Sequence, residues 1–270
     1  MKKYFFLSGI PRSGNTLLSS ILNQNPDIKV SANSFLNDHL YQTAMFFHSE
    51  KYKNFPDEKS LNNLLASSFD SYYKDWDAKY IIDRGPWGTP INIALLSQYL
   101  NNEIKVICPV RDINQVIASF IRISPERWQH ELDLEIQNGM RFNQSYKTML
   151  EIICEVIMRP NGQVENALFS LHNLFTNHKD LLHLVEYDDL VNDTENTIRE
   201  IYNFLNMDYY PHNFSYIHQF ERDGLKYEDS IWGANIHKLG KKIRPPKYNI
   251  EDVLTKDLIE KYSNLEFWRR

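Results

Sequence analysis

A short apolar strand that runs directly into a tight turn and a helix is the feature that most constrains the fold of this sequence. The run Tyr4–Leu7 is rich in aromatic residues and ends in Gly9-Ile10-Pro11, which predicts a strand that enters a turn. Four apolar residues then recur at helical spacing, and the segment 23–26 ends the pattern. They are Leu17, Leu18, Ile21 and Leu22.

Further short apolar runs alternate with helical patterns along the chain. The runs, each bounded by polar or turn residues, are Ile28–Val30, Tyr80–Ile82, Ile104–Val110 and Leu181–Val185. Residues 113–121 and 198–205 carry apolar side chains at the spacing of an amphipathic helix. Near-continuous apolar strands separated by helices are typical of a sheet that is covered on both faces. The sequence therefore predicts an α/β fold with three layers and a mostly parallel sheet.

Two regions depart from this alternation. Residues 127–178 contain two long helical patterns with no strand between them, which predicts an all-helical insertion that could wall an acceptor site. The tail after Tyr209 is polar and rich in turns until residues 252–268, which predict a closing helix. The chain of 270 residues is 42% hydrophobic and 24% charged, as in an ordinary globular protein, and residues 1–270 are predicted to form one domain.

The turn after the first strand has the composition of a phosphate-binding loop. It reads Gly-Ile-Pro-Arg-Ser-Gly-Asn-Thr-Leu over residues 9–17 and opens a helix, whose N-terminus offers unpaired N–H groups and a partial positive charge. Gly14 would relax the backbone, while Ser13, Asn15 and Thr16 would supply side-chain donors. The alternative is a plain connection in which Asn15 or Ser13 caps the helix.

A nucleotide kinase or NTPase is a second alternative for this loop. Such a loop carries a Lys before its Ser or Thr, and the Lys reaches the terminal phosphates. Asn15 stands at that position here, and Arg12 supplies a cation from a different place. The sequence thus departs from the kinase pattern at the residues on which metal-dependent chemistry depends.

A second anion site is predicted at the end of the strand 106–110. Arg111 and Asp112 follow that strand, and Ser119 lies eight residues further on, along the next helix. Ligands of open parallel sheets collect beyond the carboxyl ends of the strands, where the planar fork of Arg111 could grip a phosphate. The alternative is a surface pair of Arg111 with Asp112. Two anion sites on neighbouring strands suit a ligand with a 5′-phosphosulfate and a separate 3′-phosphate.

Three segments in order resemble the sulfotransferase family that uses 3′-phosphoadenosine 5′-phosphosulfate (PAPS). GIPRSGNTLL resembles its 5′-phosphosulfate loop, PVRDINQVIASF resembles its 3′-phosphate motif, and Val185–Val191 with the helix after it is similar to its Tyr-Glu-Asp-Leu element. Order and spacing match from residue 4 to about residue 206. The Pro-Arg-Ser-Gly form of the first loop is nearer to the tyrosylprotein and bacterial branches than to the cytosolic small-molecule branch.

The resemblance implies that the protein transfers a sulfuryl group from PAPS to an acceptor hydroxyl and releases 3′-phosphoadenosine 5′-phosphate (PAP). It implies that the 5′-phosphosulfate is held by Arg12, Ser13, Gly14, Asn15, Thr16 and Leu17. It implies that Arg111 and Ser119 hold the 3′-phosphate and that Tyr187 lies near the nucleotide. The basic run 238–244, with Lys241 and Lys242, resembles the loop that covers the cofactor, although a solvated basic loop is an equal alternative.

Sulfuryl transfer needs a cation for the developing charge and a base for the acceptor proton. Arg12 is the expected cation, and Arg84 resembles the place where relatives carry a Lys beside the leaving group; the alternative for Arg84 is a pair with Asp83. The tyrosylprotein branch places a Glu after its second strand, where this chain has Asn33 and its neighbours. Asp38 and His39, at the start of the next helix, are the candidate bases, although such a pair is also common as a solvated helix start.

Composition excludes several other classes of protein. A net charge of -5 does not favour a nucleic-acid partner, so any anion site must be local. Cys108 and Cys154 lie in apolar stretches, which predicts buried thiols, and no spacing indicates a metal site. No stretch is long and apolar enough to span a bilayer, which predicts a cytoplasmic protein without a membrane span. The sequence leaves open the acceptor, the oligomeric state, and a binding protein that has lost catalysis.

Overall fold

A parallel sheet forms the centre of the computed structural model, which describes residues 2–32, 34–123, 148–232, 235–245 and 247–270. Its strands are Lys3–Leu7 (β1), Ile28–Val30 (β2), Tyr80–Arg84 (β3), Val106–Val110 (β4) and Leu182–Glu186 (β5). Their order in the sheet is β2-β3-β1-β4-β5, and every pair of neighbours runs parallel. The predicted parallel α/β sheet is therefore confirmed, and β1 and β4, which carry the two predicted anion loops, are neighbours.

Helices of the described residues flank this sheet. They are Asn15–Leu22 (α1), Leu36–Met45 (α2), Glu50–Asn54 (α3), Glu58–Tyr72 (α4), Pro90–Tyr99 (α5), Ile113–Ile123 (α6), Met149–Ile157 (α7), Gln163–Asn177 (α8), Tyr187–Asn192 (α9), Thr194–Phe204 (α10) and Lys256–Tyr262 (α11).

The alternation of side chains along β1 explains why helices cover both faces. Successive strand residues point to opposite sides of a sheet. Phe5 and Leu7 pack in one apolar cluster with residues of α1 and α10. Tyr4 and Phe6 pack in another with residues of α2, α4 and α5. Because all four side chains are buried, β1 must be covered on both sides, and the predicted three layers follow.

The described part of the predicted helical insertion is helical and belongs to the core. A capping box of Thr148 and Glu151 starts α7, and α8 follows after a turn at 158–162. Both helices pack with α6 and α11 against Cys108 and Val110 of β4. Residues 127–147 of the predicted insertion lie outside the described residues.

Both cysteines are free and buried, as predicted. No helix in the described ranges is both long and apolar enough to cross a membrane.

The prediction of one closing helix over residues 252–268 is wrong. A turn of 3-10 helix at Ile250–Asp252 comes first, and the hydroxyl of Thr255 then accepts a hydrogen bond from the backbone N–H of Leu258 and starts the short helix α11. Two further 3-10 turns complete the tail and bury Trp268. A separate N-cap and the burial of a large side chain thus break the apparent helical pattern into pieces.

The tail also contains a small hairpin that the sequence analysis did not predict. Glu221–Arg222 (β6) pairs antiparallel with Leu225–Lys226 (β7). Asp223 and Gly224 make the turn with positive φ angles of 49° and 84°. Asp-Gly between short strands is the sequence signal for such a turn.

Candidate functional site

A cavity of about 690 Å³ opens at the carboxyl edge of the sheet. It is lined by the turn after β1, the end of β3, the start of α1 and a tail segment between Ile236 and Tyr248. A wider depression of about 850 Å³ lies at the opposite edge, between Lys2, Asp27 and Lys79. The carboxyl edge is where parallel sheets bind ligands, and the motif residues lie there, so the first cavity is the candidate site.

Two glycines allow the tight backbone turn after β1. Gly14 precedes α1 with a φ of 87°, in the left-handed region that glycine adopts without strain. A Cβ at Gly9 would lie 2.7 Å from Cδ of Pro109 and would also collide with the side chain of Asn15. The amide of Asn15 donates a 2.7 Å hydrogen bond to the carbonyl of Ile10, which fixes the loop from inside.

Ser13 does not face the cavity, although the sequence predicts it as a phosphate donor. Its side chain is fully buried, and its hydroxyl donates to the carbonyl oxygens of Ile10 and Pro109, the latter at 2.8 Å. Its backbone N–H also points back to Ile10, at 3.3 Å. Each of these carbonyls also accepts a backbone N–H, Ile10 from Ser13 and Pro109 from Ile10, so the inward hydroxyl adds a second tie between the loop and β4. Of the predicted loop residues, Arg12, Gly14, Asn15, Thr16 and Leu17 line the cavity.

Arg12 lies between the first loop and the tail. Its backbone has a positive φ of 65°, and its Nε donates a 3.2 Å hydrogen bond to Oγ of Ser119. Its Nη1 donates a 2.8 Å bond to the carbonyl of Ile236. Burial and, after it, the charge of Arg111 hold the pKa of Arg12 below its usual range.

Arg111 turns its fork toward the same loop. The residue is 5% exposed, and its guanidinium lies 4.1 Å from the centre of the Tyr187 ring. Nε donates to Gln115 at 2.9 Å and Nη1 to the carbonyl of Arg12 at 3.0 Å. Nη2 is buried, and within the described part of the chain it has no hydrogen-bond partner.

Arg111 and Asp112 do not form the surface pair that was the alternative interpretation. Oδ1 of Asp112 instead accepts a 2.9 Å hydrogen bond from the backbone N–H of Gln115 and caps α6. Asp112 therefore faces the helix start while Arg111 faces the cavity.

Arg84 and Asp83 also point in different directions. Asp83 is fully buried and accepts hydrogen bonds from the hydroxyl of Tyr73 at 2.5 Å and from Nε1 of Trp87 at 3.0 Å. Burial raises the pKa of Asp83 to about 6, although both donors oppose the rise. Nη1 of Arg84 donates to the hydroxyl of Tyr227 at 2.6 Å and approaches Oγ1 of Thr16 at 3.5 Å. Arg84 thus contributes a cation to the cavity, not a partner to Asp83.

Of the two tail lysines named from the sequence, Lys242 lines the cavity and Lys241 does not. The carbonyl of Lys241 accepts a 2.8 Å hydrogen bond from the N–H of Ile217, and its ammonium lies 5.9 Å from the Tyr216 ring centre. This backbone pairing orients Lys241 away from the cavity and toward the exposed surface.

The two candidate bases of the sequence analysis, Asp38 and His39, are not brought to the cavity. Leu36 and Asn37 face the core at the start of α2, so the next two side chains point to solvent and both are exposed. The carboxylate of Asp38 accepts a 3.1 Å hydrogen bond from the amide of its neighbour Asn37. Asn33, where the family places a Glu, lies outside the described residues.

Several cavity residues were not predicted from the sequence. They are His237, Tyr248, Gln163 and Asn166, whereas Lys238 and Arg244 lie in the basic run that resembles the loop over the cofactor. The basic run 238–244 was the available signal, and His237 immediately precedes it. Gln163, Asn166 and Ala167 come from α8, so the predicted helical insertion does wall the cavity.

The described lining residues are cationic without a compensating acid. Six of them are lysine or arginine and none is aspartate or glutamate, in a chain whose net charge is -5. The six are Arg12, Arg84, Arg111, Lys238, Lys242 and Arg244. Such a cavity is suited to an anionic ligand, since an anion offsets the cost of placing like charges together.

Comparisons with solved structures find sulfotransferases that are similar to this chain at low sequence identity. The sulfotransferase domain from the curacin biosynthetic pathway is 18% identical, with a TM-score of 0.47 over 78% of this chain and 75% of that chain. The sulfotransferase domain of the Synechococcus PCC 7002 olefin synthase is 20% identical, with a TM-score of 0.47 over 78% and 74%. Sulfotransferase STF9 from Mycobacterium avium is 14% identical, with a TM-score of 0.49 over 97% and 75%.

None of the curated proteins matches the chain. A sequence model of the sulfotransferase family, in contrast, matches residues 5–211, a span that runs from β1 through α10 and includes both predicted anion loops. That match covers more than half of the 270 residues, and the chain therefore belongs to the sulfotransferase family, whose enzymes transfer sulfuryl groups.

Proposed function

We propose that this sulfotransferase takes the sulfuryl group from PAPS and transfers it to the hydroxyl of an acceptor. The observation that carries the proposal is the charge of the cavity: six cations and no carboxylate among the described lining residues. PAPS and its product PAP carry anionic groups at two separated positions, which suits cations spread over both loops.

The first loop fits the phosphosulfate end of the donor. Gly14, Asn15 and Thr16 lie at the start of α1, where backbone N–H groups can point at an anion. Arg12 of the turn and Arg84 at the end of β3 also line the cavity. When bound there, PAPS supplies the sulfuryl group that is transferred.

The second loop fits the 3′-phosphate. Nη2 of Arg111 is a buried donor without a described partner, and leaving such a group unsatisfied costs free energy. The buried hydroxyl of Tyr248, which also lines the cavity, likewise has no partner among the described residues. Arg12 connects Ser119 to Arg111, because it donates to the Ser119 hydroxyl and its carbonyl accepts from Arg111. The ring of Tyr187 packs against the Arg111 guanidinium. We assign the 3′-phosphate to this group, and Lys242 lines the same cavity.

Arg12 and Arg84 then have the chemical role of stabilising charge. They are held in place by hydrogen bonds within the protein, Arg12 by Ser119 and Ile236 and Arg84 by Tyr227. A fixed donor aimed at the breaking bond stabilises the negative charge that develops there without a reorganisation cost. The placement of the chain near the tyrosylprotein and bacterial branches, the single domain and the cytoplasmic location stay predictions.

An acceptor screen with radiolabelled PAPS tests the proposal. Purified protein is incubated with phenols, tyrosine peptides, sugars and aliphatic alcohols, with and without EDTA, and transfer of label is measured. We expect transfer to at least one class and no loss in EDTA, because the cavity cations are side chains. Arg12→Ala should slow this transfer. Arg199→Ala, a change at an exposed arginine paired with Glu195, is its matched control.

Two other results would contradict the proposal. PAP binding without transfer to any acceptor would favour the binding protein that has lost catalysis. Strict dependence on magnesium, with phosphoryl transfer from ATP, would favour the kinase alternative.

A further inference from the structure

The tail carries a histidine and aspartate pair at the cavity that neither the motifs nor the family match assigns. Nδ1 of His237 lies 2.6 Å from Oδ1 of Asp229. The backbone N–H of His237 donates a 2.9 Å hydrogen bond to the other carboxylate oxygen. The side chains are 16% and 14% exposed, so water competes little for these contacts.

This geometry determines which ring nitrogen is free. A carboxylate accepts from a protonated nitrogen, so Asp229 holds the proton of neutral His237 on Nδ1. Nε2 then carries the lone pair. Within the described part of the chain, Nε2 makes no hydrogen bond, while His237 itself lines the cavity.

A second contact fixes the plane of the imidazole. The ring of Tyr227 stacks on that of His237, with centres 3.6 Å apart and planes within 5°. The hydroxyl of the same Tyr227 accepts the 2.6 Å hydrogen bond from Arg84. The imidazole is therefore held from its edge by Asp229 and from its face by Tyr227, and Tyr227 links it to a cavity arginine.

The ring is connected to both arginines assigned to the reacting end of the donor. Arg84 is connected to it through Tyr227, and Arg12 donates to the carbonyl of Ile236, the residue before His237. Both arginines are close enough to influence the titration of His237. The described cavity lining contains no Asp or Glu, which leaves His237 as its one group that titrates near neutral pH.

We propose that His237, oriented by Asp229, is the general base that takes the proton of the acceptor hydroxyl. The inference rests on the proposed function. Nε2 receives the proton as the acceptor oxygen bonds to sulfur, and the pair of electrons of the breaking sulfur–oxygen bond stays with the 5′-phosphate of PAP. Asp229 stabilises the imidazolium, which afterwards returns the proton to solvent.

The electrostatic surroundings of His237 suit this role. Burial lowers the pKa of His237, Asp229 opposes the change, and Arg84 and Arg12 add to it. Tyr227, which faces the ring, contributes an uncharged hydroxyl at neutral pH. Because the net direction is downward, the imidazole is neutral and able to accept a proton near neutral pH.

The first test does not use activity. Histidine-labelled protein is titrated by NMR with and without PAP, His237→Asn assigns the signal, and calorimetry measures PAP binding. We expect bound PAP to raise the pKa of His237, because a nearby anion favours the imidazolium. Exposed His218, whose ring makes an edge-to-face contact with Tyr216 in the same tail, is the internal control and should not respond.

The two possible failures are distinguishable. If PAP does not bind, the proposed function and this inference fall together. If PAP binds and His237 does not respond, the inference alone is overturned.

The second test compares variants with an acceptor from the screen. His237→Asn keeps an amide donor for Asp229 but removes Nε2, so kcat should fall by roughly 10²- to 10⁴-fold and PAP affinity should change little. The rise of kcat/KM with pH should disappear. Asp229→Asn should lower kcat and shift that rise to lower pH, because it removes the group that raises the pKa of His237. His218→Asn is the matched control. A pH profile of His237→Asn identical to that of the wild type would overturn the proposal.

Discussion

Nη1 of Arg111 donates a 3.0 Å hydrogen bond to the main-chain carbonyl of Arg12. The residue at the end of β4 thereby holds the backbone of the loop after β1, at a position where φ is 65°. The two predicted anion sites are one connected structure. A bound 3′-phosphate at Arg111 would also stiffen the loop that we assign to the phosphosulfate.

Arg111→Ala should weaken donor binding more than it slows the chemical step. The 3′-phosphate is remote from the breaking bond, so its contact is equal in the ground and transition states, and the loss appears in KM. A hydrogen bond to a charged group contributes about 1.5–3 kcal/mol, which corresponds to roughly tenfold to a hundredfold in KM for PAPS. Arg199→Ala is the surface control, and steady-state kinetics measure the effect.

Arg12→Ala should instead lower kcat. Charge grows at the phosphosulfate only as the bond breaks, and the loss of one fixed donor costs roughly 10²- to 10³-fold in kcat. Arg84→Ala should resemble it, because both arginines line the cavity and we assign both to the phosphosulfate end of the donor. If Arg12→Ala keeps the wild-type kcat while Arg111→Ala loses it at saturating donor, the reactive end of the donor is assigned to the wrong loop.

PAP should raise the melting temperature and ATP should do so much less. ATP lacks the 3′-phosphate that we assign to Arg111 and to its buried, unpartnered Nη2. A ligand at a hundredfold excess over its Kd stabilises a protein by about 2.7 kcal/mol. Thermal shift assays with both nucleotides check this, and Arg111→Ala should reduce the difference between them. Equal shifts in the wild type would favour the kinase alternative.

Asp83 should make unfolding depend on pH in a direction opposite to that of an ordinary ion-paired carboxylate. Its pKa rises from 3.8 to about 6 in the folded protein, so the folded state binds the proton more tightly. Its contribution to stability is greatest below about pH 4 and is lost as pH rises through about 6. Two pKa units correspond to on the order of 3 kcal/mol.

Asp83→Asn cannot ionise and should remove this dependence. Relative to the wild type, the variant should therefore gain stability as pH rises from 4 to 7, in denaturant unfolding curves at matched pH values. Asp75→Asn, at an exposed position, is the control. A constant difference between Asp83→Asn and wild type across that range would contradict the assignment of a raised pKa.

The sequence by itself determined the strands and the order of the two anion loops. The apolar runs at Tyr4–Leu7 and Ile28–Val30 lie in strands, and the sequence predicts them because each is short and bounded by polar or turn residues. Gly14 and the start of α1 follow from residues within one turn of each other. The family resemblance was carried by these same local segments, which is why it agreed with the family match over residues 5–211.

The direction of individual side chains was decided by the tertiary structure. Ser13 lies in the motif yet turns inward, where its hydroxyl donates to the carbonyl of Pro109, 96 positions away. Asp38 and His39 were candidates by their place at a helix start, but the packing of Leu36 in the core points them to solvent. Such orientations depend on partners that a local pattern does not contain.

The far wall of the cavity also depends on tertiary structure. Arg12 contacts Ile236 across a separation of 224 residues, and the next residue, His237, lines the cavity. The tail has weak helical or strand periodicity, so its position is determined by long-range contacts such as those of Tyr227 with Arg84. Local sequence predicted the two loops that line the cavity, and only the folded chain brought a titratable imidazole to it. The reason is that burial and hydrogen bonding, which depend on distant partners, decide which side chains face a cavity.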